Sequence, residues 1–521
     1  EVVLNPSELP EPESQRNDIL DKASALFEVP REELDRLIQE ESSEVTVVEN
    51  LNKNRALLFQ VEGGSLLGFD LVENRTRTYQ DAVYFSHVLG YTGKLSDQDL
   101  AENPRYLRSD QIGKTGIERQ YESVLKGEYG LKTRIGSEIQ TVRPSEPGTS
   151  IQLSIDSDLQ KVLQDSLQRV LDERDLDRAT GIVMNPQNGE VLAMSSLPSF
   201  DNNLFIGGIS QSDYQTLLDN PANPLLNRAI AGEFAPASTV KPLLAGAFLQ
   251  EGVVNTSDTI NDPDGRLIVP NPFNPDQPTI FPDWKIHGTS DFYKAIADSV
   301  NVYFYTFGGG AEGRRGLGIN GIADWYRRFG FGAPTRIDIP GERSGIVADP
   351  AWKESVIGEG WVLGDTYNVS IGQGGMAATP LQVLNATNSI ANGGTLYQPR
   401  LYRTTYDPET KQTGNPNEPV VLQDSILRPE IVSEVQKGMR QTVTDGTGYL
   451  LQDLPFATAA KTGTAQTGAE LNNSWFTAYG PYENPQISIV VLIEKGDEGF
   501  LTSIPVAKEV FAWYYENRGF E

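Results

Sequence analysis

The stretch APASTVKPLLAGAFL at 235–249 decides the fold, because it places a serine at the start of a long apolar run. Ser238 follows Pro236 closely, so it is expected near a helix N-terminus. Exposed N–H groups and the helix dipole favour a developing negative charge there. Lys241 lies three residues later, one turn along the same helical face. This spacing lets an amine reach the hydroxyl of the serine.

Three further short stretches follow in order: DSVN at 298–301, SIGQG at 370–374 and AKTGTAQ at 460–466. Together with ASTVKP at 237–242, they supply SxxK, SxN and KTG elements in that order. Each tripeptide alone is a weak signal, whereas the ordered set is specific.

The chain also contains a second SxxK, Ser123–Lys126, and a second KTG, Lys114–Gly116. The second SxxK lies within IERQYESVLKG (117–127), a polar amphipathic helix pattern, and no SxN element separates the two copies. We therefore expect them to carry no chemistry.

Ser238 is the candidate nucleophile and Lys241 the candidate base. A serine hydroxyl attacks when a neighbouring group takes its proton, and a lysine does so only if burial or a nearby cation lowers its pKa. A pair of Ser238 with His87 or His287 is an open alternative. The structural alternatives are a helix cap for the serine and a solvated helix face for the lysine.

From about residue 113 to the C-terminus the chain resembles the class B penicillin-binding proteins, most of all the elongation-type branch called penicillin-binding protein 2. Residues 1–112 resemble the family only loosely. The NVYFYTFG tail after the SxN element favours the elongation branch over the division branch. Besides AKTGTAQ, the resemblance rests on GKTGIERQYESVLKGEYG (113–130), NPQNGEVLAMSSLPSFDNN (185–203), NPLLNRAIAGEFAPASTVKP (223–242), YKAIADSVNVYFYTFG (293–308) and GDTYNVSIGQGGMAATPLQ (364–382).

The resemblance implies a serine D,D-transpeptidase that cross-links peptidoglycan during cell elongation and is acylated by β-lactams. Ser299 would carry a proton between Lys241 and the leaving nitrogen. Asn301 would hold the amide of the substrate through its two-sided side chain. SIGQG is assigned no chemistry, and a structural loop and a substrate-shaping role are both open.

The KTG element would form one wall of the cleft. Lys461 is the family's candidate for the second cation, and with the hydroxyls of Thr462 and Thr464 it would meet the terminal carboxylate of the substrate. Gly463 has no side chain, so an extended peptide would lie against the strand there. The backbone N–H groups of Ser238 and Thr464 would form the oxyanion hole.

We expect an α+β chain of two domains. Residues 1–150 would form a β-rich pedestal with a small helical head, truncated at its start, and RPSEPGTS (143–150) is the predicted linker. Residues 151–521 would adopt the penicillin-recognising serine transpeptidase fold, a five-stranded antiparallel sheet with helices on both faces and the KTG on an edge strand.

Local patterns predict individual elements. In the pedestal they predict helices at 17–29 and 30–42, and strands at SEVTVVEN (43–50), RALLFQV (55–61) and TRTYQDAVYFSHVLGYTG (76–93). In the second domain they predict a helix capped by Asp156 or Ser157, strands at 151–155, 179–185, 190–196, 475–482 and 486–496, and a closing helix at 506–518.

Composition excludes several classes of function. The net charge of −28 argues against binding to nucleic acid. The chain has no cysteine and two histidines, so neither a disulfide framework nor a His/Cys metal site is expected. Some elongation-type relatives carry a zinc ion near the active site, and this chain lacks the residues for it. We expect no metal and no cofactor.

The sequence contains no apolar run of membrane-spanning length. Family members normally begin with one anchor helix, so we expect an ectodomain on the extracytoplasmic face of the membrane, with its single-pass anchor absent from this sequence. The resemblance implies four kinds of partner: stem peptides ending in D-Ala-D-Ala, β-lactams, a SEDS-family glycan polymerase and other elongation-complex proteins.

Three rival functions remain. A β-lactamase shares the three elements, but it rarely carries so long a region ahead of the nucleophile, and no obvious deacylating Glu is found. A β-lactam sensor would be a binding module with a transmembrane signalling partner, and the long pedestal argues against it. The division-specific class B transpeptidase is the nearest rival, and cell shape on depletion distinguishes it.

Overall fold

The chain contains both helices and strands in the computed structural model, which describes residues 1–40, 45–48, 51–62, 66–72, 77–106, 110–135, 138–270, 274, 276–468 and 471–520. The chain divides into two compact units. The first comprises residues 1–80, 91–114 and 202–213, and the second comprises residues 81–90, 115–201 and 214–521.

The elements up to residue 153 are β1 (Val2–Leu4), α1 (Glu13–Phe27), α2 (Arg31–Glu40), β2 (Val45–Val48), α3 (Lys53–Glu62), β3 (Phe69–Leu71), α4 (Ala82–Leu89), β4 (Thr92–Lys94), α5 (Asp97–Glu102), β5 (Gln111–Gly113), α6 (Gly116–Gln120), α7 (Glu122–Leu125), β6 (Leu131–Ile135), β7 (Glu138–Arg143) and β8 (Ser150–Leu153).

The elements that follow are α8 (Ser157–Arg174), β9 (Ala179–Met184), β10 (Val191–Leu197), α9 (Gln211–Asp219), α10 (Arg228–Ala231), α11 (Lys241–Gln250), β11 (Ile260–Asp262), β12 (Arg266–Val269), β13 (Thr279–Pro282), β14 (Gly288–Ser290), α12 (Phe292–Ala297), α13 (Asn301–Gly309), α14 (Gly318–Arg328), α15 (Pro350–Val356), α16 (Leu363–Ser370), α17 (Pro380–Ala391), β15 (Leu396–Tyr397), β16 (Tyr402–Tyr406), β17 (Val421–Gln423), α18 (Pro429–Thr444), β18 (Ala459–Ala465), β19 (Asn473–Gly480), β20 (Ile487–Ile493) and α19 (Ser503–Asn517). Short 3-10 turns cover Pro6–Glu8, Asn202–Phe205, Ala237–Val240 and Tyr449–Asp453.

A five-stranded sheet is the centre of the second unit. Its strand order is β10-β9-β20-β19-β18, and every neighbouring pair is antiparallel. Strand β18, which carries the KTG element, lies at the edge of this sheet. The predicted fold class is confirmed, including the edge position of the KTG.

Helices cover both faces of the sheet, so β9, β19 and β20 are buried throughout their length. Helices α8 and α19 pack on one face over a core that includes Leu163, Val491 and Phe511. Helix α17 packs on the other face, and α11 belongs to the core on that side. Asp156 caps α8 by accepting from the backbone N–H groups of residues 158 and 159, as the sequence predicts.

The first unit combines a three-stranded antiparallel sheet, ordered β2-β1-β3, with the antiparallel pair β4–β5 and with helices α1, α2, α3 and α5. Phe27 of α1 contacts Phe59 of α3 and Phe69 of β3, with ring centroids 5.4 and 5.8 Å away. The two predicted head helices correspond to α1 and α2. Strand β2 lies inside the stretch predicted at 43–50, whose ends are outside the described residues.

Two predicted strands are wrong. RALLFQV (55–61) lies within helix α3, which buries Phe59 and exposes its other long apolar side chains. Because apolar residues cover several sides of this helix, their spacing does not report the buried face. The centre of the stretch at 76–93 is helix α4, which buries Ala82 and Ser86, four residues apart. Its aromatic and β-branched content suggests a strand, and packing overrides that preference. Only its end, from Thr92, is a strand.

Among the described residues, no helix combines the length and the apolar character that a membrane crossing requires.

Candidate active site

The SxxK element forms a tight turn that leads directly into α11. Ser238 lies in the 3-10 turn Ala237–Val240, and its carbonyl accepts from the backbone N–H of Lys241, the first residue of α11. The Ser238 side chain is half-buried, and its Oγ makes no hydrogen bond to any described residue. A half-buried hydroxyl at the start of a helix fits an attacking group.

The SIGQG loop packs against this turn. The Ala237 N–H donates to the Gly372 carbonyl at 2.9 Å, and a Cβ added to Gly372 would lie 2.3 Å from the Ala237 carbonyl oxygen. Gly372 also has a left-handed φ of +74°, so both space and backbone favour glycine here. Gln373 Nε2 lies 3.5 Å from the Thr464 carbonyl oxygen. SIGQG therefore contacts both the nucleophile turn and the KTG strand.

Lys241 is fully buried and bonds to the SxN element. Its Nζ donates to Asn301 Oδ1 at 2.6 Å, to the Ser299 carbonyl at 2.7 Å and to Ser299 Oγ at 3.2 Å. Burial lowers the pKa of Lys241 to about 7, against an opposing effect of the Asp283 carboxylate. A lysine that loses its proton near neutral pH is suited to act as a general base.

The SxN element contains a buried serine whose backbone conformation is uncommon for a residue other than glycine. Ser299 is 7 % exposed and has a left-handed φ of +59°. Asn301 begins α13, whose Phe304 ring lies 5.3 Å from Lys241 Nζ. The structure thus brings Ser299 and Asn301 to Lys241, together with an aromatic ring from the NVYFYTFG tail.

The KTG element presents its lysine from the edge strand. Lys461 is fully buried, and its Nζ donates to the Thr462 carbonyl at 2.9 Å. Burial lowers the pKa of Lys461 well below its usual value, and the charge of Lys241 lowers it further. For Lys241 itself the cause is burial rather than the second cation.

Glycine at 463 allows the edge strand to approach the nucleophile turn. A Cβ on Gly463 would lie 3.0 Å from Thr239 Cγ2 and 3.1 Å from the Cβ of Trp475. Close packing between β18 and the SxxK turn is therefore the structural requirement that we observe at this position. Thr464 is exposed beside it.

The sequence reasoning did not identify Thr447. Its Oγ1 lies 2.7 Å from Thr462 Oγ1, and its N–H donates to the Ala297 carbonyl at 3.3 Å. Thr447 thereby connects the KTG strand to Ala297, two residues before the SxN turn begins at Ser299. The available signal was TDGTG (444–448), a short glycine-rich segment at the end of α18.

The second copies of the motifs make other contacts. Lys114 Nζ pairs with Asp99 at 2.5 Å, and Lys126 Nζ donates to the Tyr129 hydroxyl at 2.9 Å. These partners lie outside the group of residues around Lys241.

The two histidines are engaged away from Ser238. The half-buried His87 packs edge-on against Phe200, with ring centroids 5.3 Å apart, and desolvation of its imidazole lowers its pKa to about 3. His287 Nε2 lies 3.3 Å from Asp283 Oδ1, and its Nδ1 lies 3.9 Å from Asp298 Oδ2. The alternative of a Ser–His pair therefore has no support in the described contacts.

A zinc ion does not fit the groups around His287. The two carboxylates face opposite nitrogens of one imidazole ring, so these donors do not converge on a single point. In the described part of the chain, no group of three or more His, Cys, Asp or Glu side chains is arranged to hold a metal ion.

Comparison with known proteins identifies two families along the chain. Residues 179–512 match the penicillin binding protein transpeptidase domain, and residues 1–153 match the penicillin-binding protein dimerisation domain. The curated relatives include "Peptidoglycan D,D-transpeptidase MrdA" of Haemophilus influenzae, 35 % identical over 503 residues, which cover 90 % of this chain and 74 % of the relative. The protein of the same name from Escherichia coli K12 is 31 % identical over 486 residues, covering 87 % of this chain and 74 % of that protein.

Solved structures agree. Penicillin-binding protein 2 of Helicobacter pylori, in complex with MreC, superposes with a TM-score of 0.83 at 32 % identity, covering all of this chain and 94 % of the other. Penicillin-binding protein 2 of Pseudomonas aeruginosa, in complex with WCK 5153, gives 0.74 at 34 % identity, covering 86 % and 93 %. The chain therefore belongs to the class B penicillin-binding proteins, in the branch of penicillin-binding protein 2.

Proposed function

We propose that this protein is a serine D,D-transpeptidase that cross-links peptidoglycan stem peptides during cell elongation. The environment of Lys241 is the observation that carries the proposal. Lys241 lies one helical turn from Ser238, is buried, and has its pKa lowered to about 7. Its Nζ donates hydrogen bonds to Ser299 and Asn301. Relatives named peptidoglycan D,D-transpeptidase, more than 30 % identical over most of the chain, support the same reaction.

The reaction begins with the transfer of the Ser238 proton to neutral Lys241. Ser238 Oγ attacks the carbonyl carbon between the two D-alanines, and the oxyanion is stabilised by the N–H groups of Ser238 and Thr464. The C–N bond then breaks, and the proton passes from Lys241 through Ser299 to the leaving nitrogen of D-alanine.

The second half returns the enzyme to its starting state. The amine of an acceptor stem peptide attacks the acyl-serine, its proton is taken by Lys241, and the C–O bond to Ser238 breaks as the oxygen regains a proton. The product is a new amide between two stem peptides. A β-lactam acylates the same serine, and its leaving nitrogen stays tethered because it was part of the ring.

Substrate binding is proposed for the residues around this centre. Asn301 would bind the amide of the donor peptide. Lys461, Thr462 and Thr464 would bind the terminal carboxylate, and Gly463 would keep the strand close to both the substrate and the nucleophile turn.

Intact-mass analysis after incubation with benzylpenicillin tests the reaction. We expect one penicilloyl group per chain, located by peptide mapping at APASTVKP. Ser238→Ala should abolish the label, and Ser123→Ala, in the second SxxK, is the matched control that should keep it. Label that persists in Ser238→Ala would overturn the assignment. An adduct lasting hours distinguishes a transpeptidase from a β-lactamase, which would release it within seconds.

We also propose that residues 1–150 act as a pedestal that binds partners of the elongation machinery, and that residues 151–521 form the catalytic domain. The division is supported by the two family matches, which end at 153 and begin at 179. The partners would be an MreC-like protein, as named for the Helicobacter pylori relative, and a SEDS-family glycan polymerase. The active site would then face the peptidoglycan, on the extracytoplasmic side of the membrane.

A partner surface on α3 is a specific form of this proposal. Leu57, Leu58 and Val61 are exposed there, between 50 % and 85 % of their surface, and Leu67 is exposed nearby. Leu58→Glu with Val61→Glu should weaken binding to an MreC-like partner in a pull-down and leave penicillin acylation unchanged. Substitutions suit this test better than a deletion of 17–112. Such a deletion would remove α4, which belongs to the second unit and packs against β10 there.

A further inference from the structure

A buried group of charges lies beside the SxN turn and takes no part in the proposed reaction. The side chains of Asp283 and His287 are both completely buried, and that of Asp298 is mostly buried. His287 lies between the two carboxylates, with Nε2 3.3 Å from Asp283 and Nδ1 3.9 Å from Asp298. Among the described residues, Nδ1 has no hydrogen-bond partner, so the ion pair with Asp298 is its polar contact.

Asp283 and the neighbouring Trp284 contact the two ends of the SxN turn. Asp283 Oδ2 accepts from the Val302 N–H at 2.9 Å, one residue after Asn301. Asp298 immediately precedes Ser299, and its carbonyl accepts from the indole of Trp284 at 3.2 Å. The left-handed backbone of a non-glycine residue such as Ser299 is strained and persists only where its surroundings fix it. Contacts on both sides provide that fixation.

The charges around the imidazole favour its protonated form. Burial lowers the pKa of His287, but the interactions with Asp283 and Asp298 outweigh burial and leave the pKa above its usual value. The pKa of Asp298 is lowered, first of all by its interaction with His287.

Other charged groups face this cluster from the elements packed around it. Lys285 Nζ lies 3.9 Å from Asp298, and Lys294 Nζ donates to the His287 carbonyl at 2.7 Å. The Asp262 carboxylate accepts from the His287 N–H at 3.4 Å. The cationic neighbours therefore bind Asp298 and a carbonyl, and the imidazole ring alone bridges the two carboxylates.

We propose that His287 is a positioning residue of the transpeptidase: as an imidazolium between Asp283 and Asp298, it holds the Ser299–Asn301 turn in the shape that receives Lys241, and it offsets the negative charge of Asp283, which favours the protonated lysine. The inference rests on the proposed function, in which Lys241 is the base. It assigns the histidine two separable effects, one on geometry and one on charge.

The pH dependence of acylation separates these two effects. His287→Gln removes the bridge and one positive charge, so the acylation rate at high pH should fall about tenfold, as for a lost charged hydrogen bond. The midpoint of the decline in rate at acid pH should rise by about half a pH unit, because the uncompensated Asp283 carboxylate stabilises protonated Lys241. Asp298→Asn should move the midpoint in the opposite direction.

The double variant His287→Gln with Asp298→Asn sharpens the test. It restores the net charge of the parent without restoring the bridge, so the midpoint should return toward the parent value while the rate at high pH stays low. Lys285→Gln is the matched control, since it removes one positive charge without removing the bridge. It should keep the rate at high pH. Midpoints equal to that of the parent in all variants would show a purely structural role, and an unchanged rate in His287→Gln would overturn the positioning role.

Carbon-13 NMR of the two histidines tests the imidazolium without relying on acylation or on a variant that folds. The signal of His87 should stay neutral across about pH 5.5 to 9, because its pKa is lowered to about 3, and it serves as the internal reference. The other signal should titrate above the usual pKa of histidine and be unaffected by EDTA. Titration of His287 at or below the usual histidine pKa would overturn the inference. If NMR shows a protonated His287 but the parent protein does not react with penicillin, the proposed function is wrong, whereas the bridge between Asp283, His287 and Asp298 is still supported.

Discussion

The two turns that carry the candidate serines are held in different ways. Each contains a non-glycine residue with a left-handed backbone, Ala237 in the SxxK turn and Ser299 in the SxN turn. Ala237 is held by its hydrogen bond and close packing with the backbone of Gly372. Ser299 is flanked by residues that are held by Asp283 and Trp284.

This difference predicts different responses to the same disturbance. Packing against a glycine backbone depends on shape and not on pH. Contacts that involve buried carboxylates and a histidine depend on their ionisation. The nucleophile turn should therefore keep its structure across the pH range, whereas the structure of the SxN turn, which would relay the proton, should change with pH.

The largest loss of acylation is expected from substitution of Lys241. This residue directly follows the SxxK turn, and its Nζ donates to the SxN turn. Lys241→Arg keeps a charge but cannot give up its proton, because guanidinium stays protonated in proteins. Penicillin acylation should fall by about a thousandfold or more, within the range that a general base contributes together with its geometry. Stopped-flow or timed mass analysis measures the rate. Lys126→Arg, in the second SxxK, is the control and should react like the parent. A rate for Lys241→Arg within threefold of the parent would show that another group takes the proton.

Gly372→Ala breaks the packing that holds the first turn. The added Cβ would lie 2.3 Å from the Ala237 carbonyl oxygen, so the nucleophile turn must shift. We expect acylation to fall about a hundredfold, since small displacements of catalytic groups have effects of that size. Gly313→Ala is the matched control: Gly313 has a similar φ of +77° but nothing within 4 Å of its added Cβ. Gly313→Ala therefore imposes the same left-handed backbone strain on an alanine, but its Cβ meets no neighbouring atom. Equal losses of activity in both variants would attribute the effect to backbone strain alone.

The sequence predicts the side chains that perform chemistry better than those that hold them in place. SxxK, SxN and KTG are short and contiguous, so their residues can be found in one dimension. The contact of Gly372 with Ala237 joins positions 135 residues apart, and no local pattern reports such a contact. His287 was considered as a general base in a Ser–His pair, and its pairing with Asp283 and Asp298 depends on how β14 and α12 fold.

The same reasoning explains the fold predictions. Strands such as β9 and β20 are buried on both sides and bounded by turns, so their apolar runs predict them well. Helix α3 buries Phe59 in the first unit, and helix α4 packs against β10 within the second unit. In both cases tertiary contacts outweigh a local preference for strand.

The third effect is the pH dependence of the parent. Since the pKa of Lys241 is lowered to about 7, its neutral form is lost as the pH falls, and acylation should decrease about tenfold for each pH unit below that value. Stability changes in the same direction. The unfolded chain binds the lysine proton up to its usual pKa, so the free energy of unfolding should rise with pH between about 7 and the usual lysine value. Lys241→Met should remove that slope in urea titrations at several pH values. An acylation rate that is flat from pH 5.5 to 7 would contradict the role of Lys241 as base.

The smallest effect concerns Thr447, which joins the KTG strand to the SxN turn without belonging to either. Its hydroxyl lies 2.7 Å from that of Thr462 and 3.3 Å from the Ala297 carbonyl, and its backbone N–H also donates to that carbonyl at 3.3 Å. Loss of the hydroxyl should therefore break the link to the KTG strand and leave the backbone bond to Ala297. A neutral hydrogen bond contributes about 0.5–1.5 kcal/mol, which corresponds to a three- to tenfold loss of acylation in Thr447→Val. Thr447→Ser retains the hydroxyl and should react like the parent. Because this bond involves no ionised group, the loss in Thr447→Val should be the same at every pH, unlike that in His287→Gln. A loss that grows as the pH falls would instead connect Thr447 to the charged side of the cleft, and the distinction between a turn held by shape and a turn held by charge would then no longer hold.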